Sequence, residues 1–417
     1  MSSPDSTGAT EAAAPTLRRD LGLFEVSVYG VGLILGAGIY AVLGEAAGVA
    51  GEALPLSFVT AAVVASFTGL SYAELASRFP KGEGDYVYVR EAFGNKRLAE
   101  VVAFLRVFVG AVSAAAVALA FAGYLETFLQ LPTVLVAGGL VVLASVVNFW
   151  GIDVSATLNL LFTVAEVAGL AIVIWLGRTT WGTVAVFEAP FGPLGVVEGA
   201  FLAFFAYLGF GSIVNVAEET ENPTRTVPQA ILLAIAVTTV FYVLVALSAV
   251  GVVDWQTLGE STSPLSLVAG AAGGNAAAAL VGAIALTSTA NTVLILLVST
   301  SRLVYGVSKS EYRSFPSLFA RIHTDRRTPY LAIALTGGVT LPFILLRDLG
   351  QVAGLANGGL LVVFILINSA LLKLRFDAPD ARAGFTAPLT VGRLSITALA
   401  GLCSSLGLLV FYVSSFV

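Results

Sequence analysis

An all-α polytopic membrane protein of about eleven transmembrane helices is what the sequence predicts, on three observations. The chain has 417 residues, of which 57% are apolar and only 11% charged; its mean hydropathy is +0.93, and a soluble chain carries about twice that share of charge. The charged residues gather between apolar runs of about 18 residues or more, the length a helix needs to cross roughly 30 Å of hydrocarbon. The third observation is a strong asymmetry of positive charge between alternate loops. Together they exclude a nucleic-acid-binding protein, a disulfide scaffold and a disordered chain. The net charge of −5 is scattered over loops and tails and forms no patch. The single cysteine, Cys403, lies in an apolar run and has no internal partner for a disulfide.

The first element is a polar tail over 1–20, rich in Ser, Thr and Ala, expected to be disordered and cytoplasmic. Apolar spans follow at 26–47, 54–76, 98–129, 132–150 and 155–176, then at 196–217, 230–253, 276–305, 330–346, 349–374 and 394–416. The first run is too long, and starts too far from the N-terminus, for a cleavable signal peptide. Of the 21 Lys and Arg residues, 18 fall on the side of the N-terminal tail; only Arg178 and Arg347 fall opposite, and Arg106 lies inside the third span. The positive-inside rule then puts the N-terminus in the cytoplasm and, with an odd number of spans, Val417 outside. The basic loops after spans two and eight are long enough for short interfacial helices, the second reading over 310–327.

Two spans are expected to break. The first holds Gly30, Gly32, Gly36 and Gly38, and glycine costs up to about 1 kcal/mol relative to alanine inside a helix. The sixth is interrupted at 207–212 by Gly209 and Gly211. Backbone that leaves helical geometry at membrane depth must be buried in protein or line a cavity, since lipid offers its N–H and C=O groups no partner. A pair of glycine-interrupted spans, five apart, points to the substrate site of an inverted-repeat transporter. The competing explanation is a small-residue packing face, Gly32 and Gly36 having G-x-x-x-G spacing. On the first reading, amides at Gly36, Ala37 and Gly38 hold an anionic group at a half-helix N-terminus. Carbonyls near Ile34, Phe205 and Leu208 hold an ammonium, and Gly209 belongs to the same substrate-binding set. An α-amino acid has both groups.

Glu166 lies 13 residues after Asp153 and 12 before Arg178, about 18 to 20 Å from either end of its helix and so near the bilayer midplane. A carboxylate there must face the bundle interior, protonated or paired. Proton coupling is the expected role, with a structural hydrogen bond as the alternative. Ser288, Thr289 and Asn291 in span eight offer oxygens for a cation site beside the broken first span. Arg106 is expected to snorkel or to pair with Glu100 or Glu74, and His323, the one histidine, to be exposed. Glu218, Glu219 and Glu221 read as a solvated loop end or as a gating contact to Arg78 or Arg302.

The motifs resemble those of the amino acid-polyamine-organocation transporter superfamily. The string GVGLILGAGIY over 30–40 is similar to its G-x-G-x-x-x-G-[AS]-G-I-[FY] element, and YAELASRFPKGEGDY over 72–86 with REAFG over 90–94 is similar to its second-span signature. Further likenesses are FFAYLGF over 204–210, AEETENP over 217–223 with Pro228, and SRLVY over 301–305 leading to RTP over 327–329. The resemblance implies a leucine-transporter-like five-plus-five inverted repeat, with a first repeat over 21–177, a second over 195–374 and an additional C-terminal helix over 390–417. It places Phe205 as an aromatic closing over substrate. In part of the family a lysine occupies the position of Glu166, so the acidic residue here leaves the coupling ion open. Members usually have twelve spans, and this chain is expected to show eleven.

The function implied is a secondary active transporter moving amino acids across the cell membrane by alternating access, proton-coupled, with exchange or sodium coupling as alternatives. Expected partners are an amino acid, the coupling ion and membrane lipids; no cofactor, metal or nucleic acid is expected. A membrane hydrolase fails because the only histidine lies outside every span and no His or Cys cluster exists to hold a metal. A channel or receptor is the remaining alternative class, disfavoured because selectivity filters come from rings of repeated segments.

Overall fold

The computed structural model describes residues 20–80, 84–151, 156–309, 315–377 and 384–414. The polar tail over 1–19 lies outside these residues. Among them, nine apolar helical stretches are long enough to cross a membrane. One of these, Leu23–Arg78, is two spans joined through a 3-10 turn at Gly51–Ala53, and the shorter apolar helix Tyr330–Ile344 completes a set of eleven.

In chain order the helices are α1 (Leu23–Ala50), α2 (Leu54–Arg78), α3 (Gly84–Phe93), α4 (Lys96–Glu126), α5 (Thr133–Trp150), α6 (Ala156–Gly177) and α7 (Gly192–Ala203). They continue as α8 (Pro223–Val252), α9 (Trp255–Glu260), α10 (Pro264–Lys309), α11 (Tyr330–Ile344), α12 (Leu349–Asp377) and α13 (Ile396–Ser414). A two-residue antiparallel pair, Thr390–Val391 with Leu394–Ser395, is the only sheet among the described residues.

Local chemistry sets the boundaries. Asn95 caps α4 by accepting from the Arg97 and Leu98 amides. Asp254 caps α9 through the Thr257 hydroxyl and the Gln256 and Thr257 amides, which hold its carboxyl below the usual carboxylate range. The expected helix after span two is present as α3. After span eight only the 3-10 turn Ser317–Ala320 is seen within 315–327; the predicted helix over 310–327 is not formed there, and 310–314 lie outside the described residues. The reason is local: Pro316 and Pro329 restrict the backbone before and after this stretch. The segment between the apolar runs 230–253 and 276–305 folds into α9 and the first part of α10. That first part turns at Gly274, whose φ of 78° suits glycine.

The two broken spans, α1 and α7 with its continuation, lie against each other inside the bundle. α2 packs along α8 and α4 along α10; α4 also carries α12, as α10 carries α6. Each pairing relates a span to the one five later, or has a counterpart displaced by five. α4 is lined by small side chains, with Ala111, Ala114, Ala115, Ala116 and Ala118 buried, which lets its neighbours approach closely. α5 and α13 bury little and present Leu135, Leu143 and Val410 outward, as a lipid-facing rim does.

Candidate substrate and coupling site

α1 loses helical geometry at Gly36 (φ −21°, ψ −159°), inside the predicted stretch. The second half of α1 therefore begins at Ala37 with first-turn amides that have no carbonyl one turn earlier to bond. The Ala37 amide donates to Thr292 Oγ1 of α10 at 3.2 Å. The sixth span differs from expectation in form. α7 stops at Ala203 and the chain continues as a 3-10 helix over Phe204–Glu219, where an unwound stretch at 207–212 was anticipated. Such a length of 3-10 winding is uncommon and marks strain or a hinge.

The two irregular segments meet backbone to backbone. A Cβ at position 38 would stand 2.7 Å from Ala206 Cα, and one at position 209 would stand 2.3 Å from the Leu33 carbonyl oxygen. Only hydrogen fits at either place. Phe205, Ala206, Tyr207 and Ile34 are buried, while Leu208 is half-buried. Tyr242 of α8 reaches into this contact. Its hydroxyl lies 2.5 Å from the Ile34 carbonyl oxygen and 3.0 Å from that of Ala206. Sequence reasoning missed Tyr242, although a tyrosine in mid-span needs a partner for its hydroxyl.

Glu166 is buried on α6 and accepts from Ser288 Oγ at 2.8 Å. The Tyr40 hydroxyl donates to the Glu166 backbone carbonyl at 3.0 Å, and the Tyr124 hydroxyl donates to the Tyr40 carbonyl at 3.1 Å. Gly169, three residues after Glu166, makes room: a Cβ there would stand 2.6 Å from the Tyr40 hydroxyl. Ser288, Asn291 and Thr292 recur at helical spacing on one face of α10, so a single face touches both Glu166 and the Ala37 amide. Asn291 Oδ1 is buried without a hydrogen-bond partner. Thr289, by contrast, donates to Ala285 of its own helix at 2.7 Å.

Two buried ion networks sit at the basic end of the bundle, where α1 begins. Glu74 accepts from Arg78 Nη2 at 2.8 Å, from Arg375 Nε at 3.0 Å and from the Ala387 amide at 2.9 Å, with a further contact from Arg375 Nη2. Arg106 pairs with Asp85 at 2.6 Å, where sequence reasoning offered Glu100 or Glu74. Glu74 is already taken by Arg375, and α3 carries Asp85 to the third span. Asp85 also accepts from the Tyr72 hydroxyl at 2.5 Å. Arg78 is thereby committed to Glu74. His323 is half-buried, its ring packing edge-on to Phe149 and Tyr330, and not simply exposed.

Both ends of the central contact are covered. At the basic end the Asp20 and Leu21 amides donate to the Glu219 carbonyl at 3.1 Å, and the Glu221 amide donates back to Leu21 at 2.9 Å. At the opposite end α9 lies on α1, where a Cβ at Gly259 would stand 2.7 Å from Gly48 Cα. Two apolar clefts of about 310 and 340 Å³ lie along α5, against α11 and α4 and away from the broken segments.

A bundle of apolar spans whose two irregular segments meet at its centre fits a membrane transporter. The chain belongs to the amino acid permease family, whose pattern matches residues 21–416. It is a multi-pass membrane transporter and not an enzyme. It is similar to the branched-chain amino acid permease BcaP of Bacillus subtilis, 28% identical over 404 residues that cover 91% of this chain and 86% of that protein. The methylthioribose transporter of Bacillus subtilis is 28% identical over 407 residues, covering 92% of this chain and 87% of that protein. The human cationic amino acid transporter 4 is 29% identical over 395 residues, 87% of this chain and 60% of its own length.

Proposed function

We propose that the chain is a secondary active amino acid carrier of the cell membrane, working by alternating access and coupled to protons. The observation that carries this reading is the backbone contact between the two irregular segments at Gly38–Ala206 and Gly209–Leu33, in the middle of an apolar bundle. The amides of Gly36, Ala37 and Gly38 take the substrate carboxylate, with Thr292 beside them. Carbonyls of Ile34, Phe205, Leu208 and their neighbours, Gly209 among them, take the ammonium. Phe205 covers the bound molecule. The packing exchange between spans five apart supports an inverted repeat over 21–177 and 195–374, with α13 outside it. The N-terminus is cytoplasmic on this reading, because the arginine-rich loops lie at its end.

Glu166 is the coupling group. It is buried, it has Ser288 of α10 as a hydrogen-bond donor, and its backbone is tied through Tyr40 to the half of α1 that binds substrate. Taking up and releasing a proton there alters the hydrogen bond to Ser288 and hence the face of α10 that also holds Ala37. A sodium ion is the second reading, favoured by the unpartnered Asn291 Oδ1 on that face together with Ser288. A neutral amino acid is the first choice of substrate and a cationic one the second, since Glu166 is the one carboxylate among the residues assigned to the site. The named relatives differ in what they carry, and sequence similarity does not choose between them.

The test is uptake into proteoliposomes. Gly38→Val should reduce binding and uptake to background while the protein still purifies folded, because the valine side chain has only the Ala206 backbone to displace. Normal affinity in that variant removes the carboxylate role of the α1 break. Glu166→Gln should abolish concentrative uptake driven by a pH gradient while leaving exchange of internal for external substrate; unchanged pH dependence rejects Glu166 as the coupling group, and uptake driven by a sodium gradient alone selects the second reading.

A further inference from the structure

Tyr242 is held in place on both faces. Its ring centroid is 5.6 Å from that of Phe58 and 5.2 Å from that of Tyr207, and no part of it is exposed. Its hydroxyl stands between two carbonyl oxygens from different irregular segments, Ile34 of α1 and Ala206 of the 3-10 stretch. A tyrosine hydroxyl has one proton and donates to one acceptor at a time. Three oxygens thus converge where a single hydroxyl proton is shared, an arrangement that a group with more N–H donors would satisfy better.

We infer that Tyr242 determines selectivity for a primary ammonium, by serving as the third acceptor of a substrate –NH₃⁺ whose other two N–H groups go to Ile34 and Ala206. An ammonium entering the cluster takes both carbonyls and moves the hydroxyl aside; turned away from them, the hydroxyl offers a lone pair to the third N–H. A secondary ammonium, as in an N-methyl amino acid or proline, has two N–H groups. It would satisfy the carbonyls but press a carbon against the hydroxyl, leaving that oxygen without its donor. The inference rests on the substrate site proposed above and adds to it the class of amine the site accepts.

The experiment measures binding to the purified full-length protein by thermal shift and calorimetry. The twenty proteinogenic L-amino acids are screened first, and the strongest binder is compared with its N-methyl and N,N-dimethyl derivatives. Wild type is expected to bind the primary amine at least about tenfold more tightly than the N-methyl compound, the loss of one charge-assisted hydrogen bond. In Tyr242→Phe, which keeps the ring and its packing, the primary amine should weaken and the N-methyl compound hold or improve, bringing the ratio near one. A ratio near one in wild type, or an undiminished ratio in Tyr242→Phe, overturns the inference. If Tyr242→Phe does not purify folded, the wild-type series decides: stepwise loss of about tenfold per N–H removed supports it, and equal affinities sink it. Failure of all twenty amino acids to bind wild type condemns the substrate site itself, a separate outcome.

Discussion

Glu74 shows how much one side chain within a motif can hold. It joins the end of α2 to the end of α12 through Arg375, and to the chain beyond α12 through the Ala387 amide. Removing one partner of a buried ion pair leaves the other charge uncompensated and costs on the order of 3 kcal/mol. Glu74→Ala should therefore lower the thermal midpoint in detergent markedly, whereas Lys373→Ala, which loses only the exposed pair with Asp377, should leave it nearly unchanged. Equal midpoints for the two variants would show that the Glu74 cluster carries no stability. The sequence made this residue conspicuous but not its partner, since Arg375 lies some three hundred positions away and only the packing of α12 on α2 and α3 joins them. The burial of Glu166 beside a hydrogen-bond donor was legible because a carboxylate at mid-span must face the bundle interior. Tyr242 was not, because one tyrosine among 12 is unremarkable until its hydroxyl is found between two carbonyls.

Among the elements, membrane spans were the easiest to read, since lipid thickness fixes their length and the apolar runs coincide with the helices found. The position of the first break was legible for the same reason: four glycines in a short stretch weaken one place. The form of the second was not. Its glycines suggested a local gap, whereas the chain rewinds as 3-10 from Phe204 and lies close against Leu33 and Gly38. α9 and the start of α10 escaped notice because a six-residue helix and an alanine- and glycine-rich stretch carry little periodicity. α9 closes the C-terminal end of α1 through glycine. A Cβ at Gly44 would stand 2.8 Å from the Leu258 carbonyl and one at Gly259 would stand 2.7 Å from Gly48 Cα. Gly259→Val should lift α9 from α1 and raise the rate at which an impermeant thiol reagent labels a cysteine placed at Ala47, which is fully buried in the structure. No change in labelling would mean that α9 is not part of that closure.

For the whole molecule, the central contact is covered at both ends, and each end is held by its own small set of contacts. The basic end is joined by backbone bonds between Leu21 and Glu219 and between Glu221 and Leu21, which tie the start of α1 to the far end of the sixth span. If these bonds form only while that end is shut, their free energy biases the equilibrium between closed and open states. Leu21→Pro removes the Leu21 amide and leaves the side-chain packing of α1 in place. One backbone hydrogen bond is worth about 1 kcal/mol, so the open population at the basic end should rise roughly fivefold. The variant is expected to label faster at a cysteine introduced at Val26, buried in the first turn of α1, and to bind external substrate more weakly. Gly259→Val should act in the opposite sense on the two ends, and the double variant should return toward the wild-type balance if both act on one shared equilibrium. Independent effects at the two ends, with no compensation in the double variant, would show that the ends open separately and that the bundle does not alternate between them.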